Sequence, residues 1–137
     1  MIIVFDSNVV LDALLEREPF YKDSAQVLTT CVGEHVGYLT ANSLTDIFYV
    51  ISKFIGVVKA KQAVRKLIEL FEIISINEAD CINALELPMD DFEDALLVSC
   101  AEKVGADCII SRDIQFICTE SPVRIISPRV YIKDELS

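Results

Sequence analysis

Only one histidine, His35, occurs in the 137 residues, and no two of the five cysteines stand in a Cys-x-x-Cys pair. A zinc site or a paired redox thiolate therefore lacks its ligands. The odd cysteine count, in a chain without a secretion signal, implies reduced and mostly buried thiols at Cys31, Cys81, Cys100, Cys108 and Cys118. Long apolar runs are missing too. Hydrophobic residues make up 53% of the chain and the mean hydropathy is +0.43. Even so, stretches such as 95–98 last only a few residues, far short of a membrane span. The opening segment has no basic region and meets Asp6 after Ile2-Ile3-Val4-Phe5. It reads as a buried strand rather than a signal peptide, so a cytoplasmic protein with no membrane partner is expected.

Positive charge is also scarce. Twelve Lys and Arg face 22 Asp and Glu, for a net charge of −10. Proteins that bind nucleic acid usually carry a basic footprint. Three explanations are compatible with its absence: a partner that is not a polyanion, a local basic patch helped by bound cations, or a basic protein covering the acidic face.

No repeat, low-complexity segment or linker interrupts the chain, so a single domain over 1–137 is expected, long enough to bury a core. Short apolar runs at 2–5, 36–40, 73–76, 108–111 and 123–126 predict strands. Helices are predicted between them: one opened by Asp6-Ser7-Asn8 and closed by Pro19, then 24–32 with Gly33 as its stop, 43–54 followed by Gly56, and 59–71. Two more follow, 78–87 between Asn77 and Pro88, and 91–104 ended by Gly105. The alternation implies an α/β fold in three layers, a parallel sheet of about five strands covered on both faces. Such sheets bind ligands beyond the carboxyl ends of their strands, where the strand order reverses. Asp6 follows the first strand and Asp113 stands just beyond the fourth.

Five acids attract attention, and each has a plain structural reading. Asp6 suits a helix N-cap. Ser43-Leu44-Thr45-Asp46 resembles a capping box with Ser43 as the cap. Asp91 and Asp94 fit the first turn of a helix, where acids oppose the dipole. Asp113 has Arg112 beside it as a local partner. Taken singly, these readings are the better ones. Jointly they leave several carboxylates along one edge of one sheet. Asp94 borders the apolar run 95–98, and no Lys or Arg occurs between Pro88 and Glu102 to neutralise it. Carboxylates packed together do not all stay ionised without a cation, and Mg²⁺ or Mn²⁺ is the natural hard partner.

The ordered set resembles a known family. Asp6-Ser7-Asn8, Ser43-Leu44-Thr45-Asp46-Ile47-Phe48-Tyr49, Asp91-Phe92-Glu93-Asp94-Ala95 and Ser111-Arg112-Asp113 are similar to the four acidic motifs of PIN domains. The second motif resembles that of a subfamily with Asp where most members have Glu. Leu11-Asp12, Arg17, Pro19-Phe20 and Ala25 also fall where that subfamily places similar residues. The resemblance covers nearly the whole chain. It implies a sheet of order 3-2-1-4-5 and a Mg²⁺- or Mn²⁺-dependent endoribonuclease, with Asp6, Asp46, Asp94 and Asp113 as the catalytic acids. Asp6, Asp94 and Asp113 are expected to bind metal directly. Asp46 is expected in or just behind them and Asp91 at the rim. Ser7 and Asn8 support Asp6 or a metal-held water by hydrogen bonds. Arg112 and Lys53 are the candidate RNA contacts, and the Lys59, Lys61, Arg65 and Lys66 cluster reads as a solvated helix face. From the family alone, the role is that of a toxin held by an antitoxin, with a homodimer as a further expectation.

One departure stands out. The fourth motif is commonly followed by an Asp-Phe pair, and here the segment is Ile114-Gln115-Phe116. This, with the net charge, keeps a second expectation open: a PIN-fold module that binds RNA or protein and turns over weakly. A phosphoryl-accepting receiver domain is excluded, because it needs an Asp ending strand three and a Lys ending strand five. The residues there are Ile76-Asn77 and Ser127-Pro128.

Overall fold

The computed structural model describes residues 1–31 and 36–136. The stop expected at Gly33 and the lone His35 lie outside the described residues. The elements run β1 (Ile3–Phe5), α1 (Ser7–Leu14), α2 (Tyr21–Cys31), β2 (Gly37–Thr40), α3 (Ala41–Ile55), α4 (Val57–Leu70) and β3 (Glu72–Ile74). They continue with α5 (Glu78–Leu85), α6 (Phe92–Lys103), β4 (Cys108–Ile110), α7 (Ile114–Ile117), β5 (Arg124–Ile126) and α8 (Pro128–Tyr131). A π-helical turn, Ile132–Leu136, follows.

All five strands are parallel, in the order β3-β2-β1-β4-β5, as the resemblance implied. β1 is the central strand and is wholly buried. Its side chains alternate between two cores. Ile3 and Phe5 join Val9, Val10, Val27, Leu39, Ile47 and Ile51 on one face. Val4 joins Ile109, Ile125, Phe116 and the α6 residues on the other. The period of two along β1 therefore fixes which helices lie where: α1 to α4 and α8 on one side, α5, α6 and α7 on the other. Gly37, paired with Ile3, lies so close to Phe71 that a Cβ there would stand 2.7 Å from its ring. That ring meets Phe5 edge-on at 5.8 Å. Among the described residues, no helix is long and apolar enough to cross a membrane.

Several element boundaries differ from the sequence expectation, for physical reasons. α3 does not start at Ser43. Thr40, the last residue of β2, is itself the N-cap and its Oγ1 accepts from the Ser43 N–H at 3.4 Å. The helix springs from the strand without a loop, the Ser43–Asp46 capping box does not form, and Asp46 sits a full turn inside the helix. Asp91 is the N-cap of α6 rather than its first residue, its Oδ1 accepting the Asp94 N–H at 3.0 Å. α2 begins at Tyr21 and α4 at Val57, three and two residues earlier than expected. β3 starts one residue earlier than expected, at Glu72, and ends two earlier, at Ile74. α7 and α8 are new, because four residues carry too little periodicity to be read.

Candidate active site

The site lies between the carboxyl ends of β1 and β4, where the chain turns from building the sheet one way to building it the other. Asp6 occupies the N-cap position of α1, yet its side chain makes no cap hydrogen bond. It accepts instead from Ser111 Oγ at 2.8 Å and from Asn8 Nδ2 at 3.2 Å. Ser111 is completely buried at the end of β4, and its Oγ also accepts the Asp113 N–H at 3.1 Å. One serine hydroxyl thus ties the two acids that follow the two switch-point strands. Asp113 caps α7, its Oδ1 accepting from Gln115 N at 3.0 Å.

α6 brings the remaining acids. Its residues Ala95 to Ala101 are all buried, so its start is pressed against the sheet edge. Asp94 and Glu93 line a narrow slot with Asp6, Ser7, Thr40 and Asn42, which leaves room of about 10 Å³, one water-sized particle. Asp94 also borders an adjoining hollow of about 340 Å³, shared with Asp91, Asp113 and Gln115. Neither space is lined by a Lys or Arg.

The charges feel one another. Burial, then the charges of Asp91, Asp6, Asp113 and Glu93, push the Asp94 carboxyl up to about 7. Burial raises Asp6 as well, against the opposing hydrogen bond from Ser111. Glu93 is raised by burial and then by the neighbouring carboxylate of Asp46. The structure therefore brings Asp6, Asp94 and Asp113 to one edge. It places Asp91 at the rim and reaches Asp46 through Glu93.

Glu93 and Ser111 were not singled out from the sequence. Both lie within the acidic motifs, where the neighbouring aspartates carry the signal, and a serine's role as a bridge has no spacing signature. Arg112 is a correction: it does not pair with Asp113. Its Nε and Nη2 lie 2.8 and 3.4 Å from the two oxygens of the fully buried Asp12, and its guanidinium stacks on Phe20 at 4.3 Å. Lys53 lies two turns along α3 from Asp46, over the Tyr49 ring at 5.4 Å, and lines neither acidic space.

Do these residues suit a divalent cation? Among the described residues, no three Asp, Glu, His or Cys side chains close on one point as a complete cage. Mg²⁺ seldom uses one. It keeps several waters and takes one or two carboxylates plus substrate oxygens. The donors here are all hard oxygens. The Asn8 carbonyl Oδ1, on the side chain that donates to Asp6, is buried with no partner, an acceptor left over beside a carboxylate of the site. The donor set fits.

The sequence pattern of the PIN domain matches residues 2–115 of the chain. The chain belongs to the PIN-domain family. Ribonuclease VapC1 of Aquifex aeolicus (strain VF5) is 32% identical over 117 residues, 81% of each protein. The fold is shared with FitAcB of Neisseria gonorrhoeae, with a TM-score of 0.73, 16% identity and 93% and 99% of the two chains covered. It is shared too with a toxin–antitoxin complex of Klebsiella pneumoniae, with a TM-score of 0.72, 16% identity and 92% and 97% covered.

The raised acids carry a pH prediction for the metal-free protein. A carboxyl whose folded pKa is raised stabilises the fold when protonated. For Asp94 that contribution is complete below its ordinary 3.8 and is lost as pH rises through about 7. Without metal, the melting temperature is expected to climb as pH falls from about 8 to about 6, and less so in Asp94→Asn. Identical slopes for the two proteins would refute it.

Proposed function

We infer that this chain is a ribonuclease of the VapC kind, the toxin of a toxin–antitoxin pair. It hydrolyses RNA phosphodiesters with Mg²⁺ or Mn²⁺ held by Asp6, Asp94 and Asp113. The observation that carries the reading is the convergence of these acids at the switch point with no basic residue among them. When bound, the cation lowers the pKa of water and offsets charge on the phosphate. The residues do the placing. Ser111 and Asn8 hold Asp6 in one orientation, and Ser111 fixes the backbone at Asp113. Glu93, beside Asp46, lines the slot with Asp94, and Asp91 borders the wider hollow. In this reading Glu93 takes the place of the acid missing from Ile114-Gln115-Phe116, and the Asp46 motif marks the subfamily with Asp.

RNA is the proposed substrate, an antitoxin the proposed inhibitor and a second copy a further proposed partner. Exposed Tyr49, Phe54, Ile55, Val57 and Val58, around the α3–α4 turn, offer such proteins an apolar surface.

The experiment is RNA incubation with the purified chain in Mg²⁺, in Mn²⁺ and with a chelator. Fragments are expected with metal and not with chelator. Uncut RNA in both metals would favour the weakly active binding module, which the net charge of −10 and Gln115 beside Asp113 support. Metal binding has its own readout. Cations that bind only the folded acids raise the melting temperature, by about 2.7 kcal/mol of stability at a hundred times Kd. A melting temperature indifferent to millimolar Mg²⁺ and Mn²⁺ would remove the metal from the mechanism.

A further inference from the structure

We propose that the hollow lined by Phe20, Ser24, Arg112, Ile114, Ile117 and Pro128 seats one nucleobase of the RNA strand, next to the acids. The proposal rests on the ribonuclease reading for the identity of the polymer. The hollow has a volume of about 300 Å³ and mostly apolar walls. That is the lower end of the range for small-molecule sites, suited to one ring system rather than a chain segment.

Three observations select a base. The first is a hydroxyl without a partner. Ser24 lines the hollow and is completely buried on α2, and its Oγ has no hydrogen-bond partner among the described residues. Buried hydroxyls are normally satisfied, and a rotation of the Ser24 side chain toward the hollow would let its hydroxyl, which both donates and accepts, meet the mixed edge of a base. The second is a flat, fixed wall. Phe20 and Arg112 are stacked at 4.3 Å, and Asp12 holds the guanidinium by two nitrogens. Phenyl rings and guanidinium planes are the surfaces on which proteins stack unpaired RNA bases. Because Arg112 is already fixed, little freedom is lost on binding. The third is position. Arg112 and Ile114 line the hollow and flank Asp113 in the chain, and Asp113 lines the acidic hollow, although the two spaces share no residue. A base seated there would belong to a nucleotide near the one being cut. Arg112 thus contributes to RNA recognition through its face rather than as a phosphate partner beside Asp113.

Two measurements test this. In the first, nucleoside 5′-monophosphates are titrated into the metal-free protein while the backbone amides of Ser24, Ile114 and Ile117 are followed by NMR. Saturable shifts are expected at these amides, and their loss in Ile114→Trp. Ile114 is 75% exposed, so the larger ring is accommodated and covers the mouth. In the second, an RNA pool of random sequence is cut and the bases flanking the cuts are counted. Wild type is expected to prefer particular bases on one side of the cut. Ile114→Trp is expected to lose that preference, with KM raised about tenfold, the worth of one stacked base. Nucleotides that leave the three amides unmoved, or that move them equally in Ile114→Trp, overturn the proposal. So does an antitoxin that moves them where nucleotides do not. RNA cut without base preference and without shifts ends the base site and leaves the ribonuclease. Shifts without any cutting keep the base site and end the ribonuclease.

Discussion

Asp94→Asn is expected to lower metal-dependent RNA cleavage at least about a hundredfold, since even residues one shell removed from a metal cost 10–100-fold when lost. Asparagine keeps the size and the hydrogen-bonding atoms of Asp94 and removes one charge from the cluster. That charge is the costly one when no cation is present, because burial and four neighbouring acids hold its pKa near 7. The metal-free mutant is therefore expected to melt at the same temperature as wild type or higher at about pH 8, while its response to Mg²⁺ shrinks. The competing reading treats Asp94 as an ordinary first-turn acid of α6. It predicts the reverse: unchanged cleavage and a loss of up to about 1 kcal/mol of dipole interaction. Melting temperature and cleavage measured on this one mutant separate the two. Wild-type cleavage with lowered stability would falsify the metal-ligand assignment.

The sheet was legible because it obeys simple rules. Five short apolar runs separated by helices leave few alternatives to a covered parallel sheet, and Ile3, Val4 and Phe5 divide between two cores as the period of two demands. The acids were harder. Asp6 reads as a helix cap, and it does occupy the cap position, but its Oδ2 accepts from Ser111 and Asn8. Residue type cannot tell a capping carboxylate from one turned aside. The α3 boundary failed for a related reason. Both Thr40 and Ser43 are good caps, and the choice fell to Thr40 because β2 ends there and no loop intervenes. Arg112 misled because neighbours in sequence look like partners. The partner is Asp12, a hundred residues away, and only the closing of the sheet brings them together. The Asp46–Glu93 contact is of the same long-range kind. Local signals found the elements and most of the acids. The contacts between acids, and the hydroxyl and amide that orient Asp6, come from topology.

Asp12→Ala is expected to be the most destabilising single change at the edge of the site. Asp12 is 0% exposed, with Arg17 Nε 2.8 Å from Oδ1 and Arg112 Nε 2.8 Å from Oδ2. The two arginine side chains are only about a third exposed, at 34% and 32%. Removing the carboxylate leaves two partly buried cations facing each other, with nothing between them but a cavity. Breaking a buried ion pair from one side costs about 3–5 kcal/mol. In a chain of this size that corresponds to a fall in melting temperature of roughly 10–20 °C. The loss should also reach the acids, because Arg112 sits between Ser111, which holds Asp6, and Asp113. If Asp12→Ala does not fold, Arg112→Lys gives the same information more gently. It keeps the charge but not the planar fork that takes two positions on Asp12. The expected result is a modest drop in melting temperature together with a raised KM for RNA, since the Phe20–Arg112 wall loses its fixed plane. Thermal melts that place Asp12→Ala within about 1 kcal/mol of wild type would show that the two arginines are satisfied by water, and that Asp12 anchors nothing.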